Sequence, residues 1–344
     1  MADDIFLLGL DAGNTVIKAV LFDRQGRQIA HHAIDGKSTY PFPGQVERDL
    51  GELWRNCCEA IRELLALSGV KPGSIAGIGC AGHGNGLYLL DRKHEPLLGI
   101  QSLDSRAALV AQEINAQTGA ALQHRCLQRP WPAQTPSLLA WVKRHAPEAY
   151  AATGSVLFSK DYVNFRLTGQ LASDISDLSG AGLLNMPEGT LDRELLGLYG
   201  LEDALPLFAR PVDSCEIVGH VTAEAAALTG LAEGTPVIGG FFDVVSSAMG
   251  SGVVRPGEAS IIAGTWGINQ VFAAAPVQSP DVFMVATFGR DRYVNIESSA
   301  TSAANLEWYV HRLLGSHGEP AFDRCNAAVA SVSPAADDPF FHPF

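Results

Sequence analysis

Apolar and polar positions over the first fifty residues alternate in short runs broken by turn residues. FLLGLD (6 to 11), VIKAVLFD (16 to 23) and QIAHHAI (28 to 34) are separated by AGNT and RQGR, which predicts antiparallel strands joined by tight turns. The period then lengthens. Leu53, Trp54, Cys57, Ala60, Ile61, Leu64 and Leu65 recur at helical spacing, so a helix is expected from about Gly51 to Ser68, closed by Gly69. IAGIGCAG (75 to 82) and GLYLLD (86 to 91) return to sheet and put His83 at a strand end.

The middle third reads as mostly helical. LVAQEINAQTG (109 to 119), PSLLAWVKRHAP (136 to 147) and KDYVNFRLTG (160 to 169) each end at glycine or proline, and these helices are expected to flank the first sheet. Residues 214 to 232 begin strand-like and pass through a Thr222 cap into an alanine-rich helix. PVIGGFFD (236 to 243) has the character of a buried strand, and 258 to 274 is an apolar strand, a Gly-Thr turn and a second strand. Hairpins at 6 to 23 and 258 to 274 suggest two related halves. The final DDPFFHPF is apolar and aromatic with nothing after it to pack beside, which leads to the expectation of a second domain that is incomplete.

With 344 residues, 47% of them apolar, the chain can fill a core in each of two domains. Its net charge of -13 argues against a nucleic-acid surface. Six cysteines with no CxxC pair suggest reduced thiols in cytoplasm, and Cys57 and Cys58 read as helix packing. The acidic start does not fit a secretory signal. The most apolar long window, 235 to 254, contains Asp243 and four glycines, so no membrane segment is expected.

Several residues could carry chemistry. Asp11 ends the first strand and is followed by Gly13, Asn14, Thr15 and, on the return strand, Lys18. A turn of this composition lets backbone N–H groups and a hydroxyl approach phosphate, and a neighbouring carboxylate can hold Mg2+ through water; an ordinary hairpin turn looks similar. Gly264-Thr265-Trp266-Gly267 could serve a second phosphate. Asp243 is either a plain helix cap or, with its apolar and glycine-rich flanks, a cleft carboxylate suited to act as a general base on a hydroxyl. His83 is a satisfied loop histidine or a polyol contact, with Gly82 and Gly84 leaving room for a ligand. Asp104 and Arg106 read as a surface pair or as substrate-side groups. Trp131 and Gln134 suit a sugar pocket or a core. Glu297 is structural or near a phosphoryl group. No GxSxG elbow and no Walker A sequence is present.

Taken together these segments resemble the FGGY carbohydrate kinases. The resemblance covers essentially the whole chain and rests on GLDAGNTVIKAVLFD, PGQVERDLGELW (43 to 54), GIGCAGHGNGLYLLD (77 to 91), QTPSLLAWVKRHAPE (134 to 148), FSKDYVNFRLTG (158 to 169), ASDISDLSG (172 to 180), GGFFDVVSSAMGSG (239 to 252) and GTWGINQ (264 to 270). FFDVVSSA, GTWG and SATSAANLEW look most like the L-xylulose kinase branch. The resemblance implies an α/β, actin-like ATPase (ribonuclease H-like) fold with mixed sheets flanked by helices. It divides the chain into an N-terminal sugar-binding domain (1–248) and the start of a nucleotide-binding domain (249–344). It further implies ATP and Mg2+ as cofactors, a ketopentose as substrate, Asp243 as base and Asp11 near the metal. Gly13 to Thr15 and Gly264-Thr265 would meet phosphates. His83, Gly82, Asp104, Trp131 and Gln134 would stand on the sugar side. The oligomeric state is open, a homodimer among the options. The alternatives are a sugar-binding module without turnover, because the adenosine segment is not in the chain, and an actin-like filament protein.

Overall fold

The computed structural model describes residues 5–338 apart from 187, 265, 266, 288, 290, 291, 300, 301, 316–318 and 336. Its first sheet begins as the alternation predicts, with β1 (Phe6–Ala12), β2 (Val16–Asp23) and β3 (Gln28–Asp35) antiparallel in sequence order. The other edge of β1 takes β4 (Ile75–Gly82) in parallel. Leu8, Leu10, Ile17, Ala19 and Leu21 all face one side and are buried, because alternate strand residues share a face.

That side is covered by α1 (Leu50–Ser68), whose Leu53, Trp54, Cys57, Cys58, Ala60, Ile61 and Leu64 are buried. Asp49 caps the helix by accepting from the Glu52 N–H, and Gly69 closes it at φ 64°, its N–H donating to Leu65 O. Both cysteines are packing residues, as expected.

A second core lies around a sheet of β5 (Leu87–Asp91), β6 (Pro96–Ile100) and β7 (Thr153–Leu157), ordered β6-β5-β7. Here the sequence reading needs correction. Of the middle helices, only α5 (Ser159–Thr168) packs on the first sheet; α2 (Ala108–Cys126) and α3 (Thr135–His145), followed by the short α4 (Pro147–Ala152), cover the second core. β7 itself is missed because TGSVL is too short to show a period. Moreover, α2 does not stop at Gly119 but runs to Cys126 and ends at Leu127 with φ 58°.

Further along come β8 (Ala172–Asp174), α6 (Ile175–Gly180), α7 (Arg193–Gly197), β9 (Arg210–Val212), β10 (Ile217–His220) and α8 (Ala223–Thr229), capped by Thr222 as predicted. The single strand expected at 236–243 is two, β11 (Pro236–Ile238) and β12 (Phe241–Phe242), completing the sheet order β10-β11-β4-β1-β2-β3, with β12 beside β4. The break is at Gly240, with φ 83°, where a Cβ would collide with the Cys80 carbonyl. Only glycine lets the chain pass that close and step down to β12.

α9 (Asp243–Gly250) then leads to a third sheet of β13 (Ala259–Ala263), β14 (Gly267–Ala273), β15 (Met284–Thr287) and β16 (Tyr293–Ser299), ordered β13-β14-β16-β15. Like the first, it opens with an antiparallel hairpin, in line with two related halves. Phe242, Val245 and Ala248 pack against Phe272, Met284, Ala286, Val294 and Ile296, so α9 is packed on the third sheet. The helices α10 (Ala303–Trp308) and α11 (Glu319–Ala330) follow. Among the described residues no helix is long and apolar enough to cross a membrane.

Candidate active site

Three adjacent strands deliver three candidate groups to one edge. β4 runs parallel to β1, with Asp11 opposite Ala81, and β12 runs parallel to β4, with Phe242 opposite Gly82. Asp11 therefore sits one residue from the end of β1, while His83 and Asp243 follow immediately after β4 and β12. Carboxyl ends of parallel strands are where open α/β sheets bind ligands.

Asp243 starts α9 and borders two cavities. One, of about 350 Å³, is also lined by Asp11, Ala81, Ser246, Ser247 and Ile262. The other, of about 190 Å³, is lined by His83, Asn85, Ser102, Trp131 and Phe283 among others, a size for a small ligand. Burial pushes the Asp243 carboxyl up to about 7, and the charge of Asp11 adds to this against the Val244 N–H. Asp11 is raised as well, by burial, with its cross-strand neighbour Lys18 opposing. Its Oδ1 is buried without a hydrogen-bond partner.

Two carboxyls raised by burial, Asp243 further by the charge of Asp11, and one of them with an orphaned oxygen, fit a divalent cation. Among the described residues no group of three or more His, Cys, Asp and Glu could hold a metal. Two carboxylates are a donor set that fits Mg2+, an ion that keeps waters and takes phosphate oxygens as further ligands.

Asp243 also carries a stability signature. Its folded pKa lies above that of an unfolded aspartate, so the folded state holds the extra proton between about pH 4 and 7 and loses stability as pH rises through that window. Asp243→Asn should therefore melt higher than the parent above pH 7, by about 1–2 kcal/mol because the group is only half-buried, with the gap closing toward pH 4. Melting curves at pH 4.5, 6 and 8 check this; a gap independent of pH would refute it.

On the sugar-sized side, His83 is buried, its Nε2 2.8 Å from the Tyr88 hydroxyl. Burial and the nearby Arg48 charge hold its pKa at about 3 against the Gly84 carbonyl, so the ring is neutral and offers hydrogen bonds rather than charge. Trp131 stands 5.6 Å from Phe283, ring to ring, with its Nε1 unpaired. Asn85, which the sequence reading passed over, has φ 60° and donates to the Gly180 carbonyl at 3.3 Å while its Oδ1 is left unpaired in the cavity wall. The signal was there: asparagine between two glycines is a residue that tolerates the left-handed region.

Other candidates lie elsewhere. Gly82 is not among the residues lining either cavity; a Cβ there would come within 2.5 Å of Ser159 Oγ, so its role is close packing of β4 on α5. Gln134 is fully buried beside α3, donating to Gln128 Oε1 at 3.2 Å and accepting from Ser137 Oγ. Asp104 and Arg106 are not a surface pair. Arg106 Nη2 lies 2.9 Å from Asp104 Oδ2 and 2.7 Å from Glu47, while Asp104 Oδ2 also accepts from the Val46 N–H at 2.6 Å and Oδ1 from the Arg106 N–H at 2.8 Å, which uses both carboxylate oxygens internally. Their neighbours Ser102 and Leu103 reach the cavity instead. Glu297 accepts from the Phe283 N–H at 2.8 Å, a structural bond within the third sheet. Gly264 follows β13 and accepts from the Ala303 N–H, while Thr265 and Trp266 lie outside the described residues.

Behind Asp243 lies a charge cluster that the sequence did not announce. Lys160 Nζ is 2.7 Å from Asp161 Oδ1, 2.7 Å from Asp174 Oδ1 and 2.8 Å from Asp177 Oδ2, and all four side chains have zero exposure. Asp174 Oδ2 accepts from Ser176 Oγ and Ser214 Oγ, and Ser176 Oγ in turn accepts from the Phe242 N–H at 2.9 Å. The cluster thus ties down the residue before Asp243. Burial pushes Asp177 well up, against the pull of Lys160.

Comparison with known proteins agrees with this architecture. The profile of the FGGY family of carbohydrate kinases, N-terminal domain, matches residues 6–250. An L-xylulose/3-keto-L-gulonate kinase from Escherichia coli K12 is 38% identical over 98% of this chain and 68% of its own length. A probable L-xylulose kinase from Pasteurella multocida is 36% identical, over 98% of this chain and 70% of its own. A crystal structure of xylulose kinase from Rhodospirillum rubrum superposes with a TM-score of 0.89 at 28% identity, covering 96% of this chain and 68% of that one. With its strand-end carboxylates, its paired hairpins and these relatives, the chain belongs to the FGGY family of carbohydrate kinases.

Proposed function

We propose that this protein transfers the γ-phosphoryl group of ATP to a primary hydroxyl of a ketopentose, L-xylulose being the favoured acceptor. The observation that carries the reading is the position of Asp243 between the small cavity and the cleft it shares with Asp11. A sugar in the first and phosphates in the second would meet at this carboxylate. The names of the two bacterial relatives support the choice of L-xylulose.

In this reading Asp243 accepts the proton of the attacking hydroxyl, a task suited to a carboxyl raised to about 7. Asp11 and Asp243 would hold Mg2+ through water, and the ion would offset charge on the phosphates. The turn Gly13 to Thr15, with Lys18 across the hairpin, would meet one end of the phosphate chain, and Gly264-Thr265 is proposed for the other on the sequence alone. Asn85 and Trp131, each with an unpaired polar atom, would hydrogen-bond the sugar, His83 would pack beside it, and Phe242 and Phe283 would exclude water from it. Because phosphoryl transfer has a loose transition state, most of the rate comes from positioning and charge neutralisation. The sugar-binding half spans 1–248, the nucleotide half begins at 249, and the enzyme works in the cytoplasm.

Calorimetric titration with D- and L-xylulose, D- and L-ribulose and glycerol tests the acceptor. Saturable binding of L-xylulose in preference to the other four is expected. Preference for another polyol would overturn that choice, and sugar binding without ATP turnover would favour a binding module.

A further inference from the structure

The turn between β1 and β2 is gripped by its carbonyl oxygens. Gly13 O accepts from Arg48 Nη1 at 2.8 Å; Asn14 O accepts from Arg48 Nη2 and from Gln101 Nε2 at 2.7 Å; Thr15 O accepts from the Gly36 N–H at 2.8 Å. Asn14 Nδ2 also donates to Ser102 Oγ at 2.8 Å. Among the described residues no partner takes the N–H of Asn14 or Thr15. With the oxygens occupied, these two amides are left available to a ligand, and Asn14 itself borders the smaller cavity.

Arg48 is an unusual residue to find there. Its exposure is only 2%, its Nε has no partner, and among the described residues no carboxylate comes within ion-pair distance of it. Gly36 makes room for it, since a Cβ at that position would collide with Nη2. A buried, uncompensated cation is expensive. It is tolerable where an anion arrives to balance it, and a polyphosphate at the amides of the same turn would do so.

We propose that Arg48 is the positioning residue of the nucleotide-phosphate turn. Its fork fixes the Gly13 and Asn14 carbonyls so that the following amides point at phosphate, and its charge lies directly beneath the anion. Bidentate donation to two carbonyls demands the planar guanidinium, which an ammonium cannot reproduce. This rests on the kinase reading above.

The test uses the full chain with Arg48→Met, Arg48→Lys and Gln101→Leu. Three quantities are read: the KM for Mg-ATP, the ketose Kd, and hydrogen exchange of the Gly36 amide, which reports the turn through its bond to Thr15 O. For Arg48→Met the KM for ATP should rise about tenfold or more, as for loss of a hydrogen bond from a charged group, and Gly36 should exchange faster. The ketose Kd should stay within about twofold. Arg48→Lys should fall between parent and Met variant, and Gln101→Leu should show a smaller shift of the same kind. Should Arg48→Met fail to fold, the Lys and Gln101 variants carry the result. An unchanged KM for ATP and unchanged Gly36 exchange would overturn the proposal, as would ketose and ATP affinities falling together with the melting temperature. If the parent shows no ketose-dependent ATP turnover, the kinase reading fails, and Gly36 exchange still decides whether Arg48 holds the turn.

Discussion

Asp243→Asn is expected to lower kcat by about 10³-fold or more while leaving the ketose Kd within about twofold. The exchange preserves the size of the side chain and its place at the start of α9. It removes what the proposed reaction takes from this residue, an anionic oxygen that can receive a proton and hold Mg2+ through water. The residue is well placed for that role because burial and the adjacent Asp11 already hold its proton until about pH 7. Neutral Asn escapes that cost, so the variant should be folded and, above pH 7, more stable. Loss of rate combined with gain of stability separates a base from a structural cap, which would lose both. Asp11→Asn offers the contrast: with its charge gone, Asp243 titrates lower, and the loss should fall mainly on the KM for Mg-ATP.

The second large effect is on stability. Lys160→Met should destabilise the protein by about 3–5 kcal/mol, the cost of leaving buried charges without their partner. Lys160 is the shared cation of Asp161, Asp174 and Asp177, none of which has any exposed surface. With Met in its place, the three carboxylates face one another in the interior, and at least two must take up protons for the cluster to stay buried. The deficit should therefore be smaller at pH 5 than at pH 8. Adding Asp177→Asn to the variant should recover part of it. Urea midpoints of the three proteins at both pH values check the prediction; a loss below about 1 kcal/mol at pH 8 would show that the cluster is not what holds α5, β8 and α6 together. Because Ser176 links the cluster to the Phe242 N–H, surviving variants should also lose turnover.

The parts of this arrangement visible in sequence are those fixed locally. The β1–β2–β3 meander follows from period-two alternation and two polar turns, α1 from its apolar stripe and Gly69, and the placement of Asp243 from an apolar run meeting a helix start. What stayed hidden depends on residues distant in the chain. Nothing in FSKDY shows that Lys160 will meet Asp174 and Asp177. Arg48, flanked by Glu47 and Asp49 just before a helix, has the look of a solvated charge, whereas the hairpin turn 34 residues earlier takes its donors. Asp104 and Arg106 misled for the same reason, since Glu47 and Val46 complete their network from another segment. The assignment of α2 and α3 to the first sheet failed because helix faces record that they are buried, not against which sheet. The break at Gly239-Gly240 left only a pair of glycines as its trace.

The most direct test of the central claim is to incubate the full chain with Mg-ATP and L-xylulose and follow the phosphorus and carbon NMR spectra of the mixture. A phosphate monoester on a primary carbon of the ketose, formed in step with ADP and absent with Asp243→Asn, is the predicted result. A cooperatively folded protein that forms no sugar phosphate from L-xylulose or any other ketopentose, or an Asp243→Asn variant that forms it at the parent rate, would contradict the account.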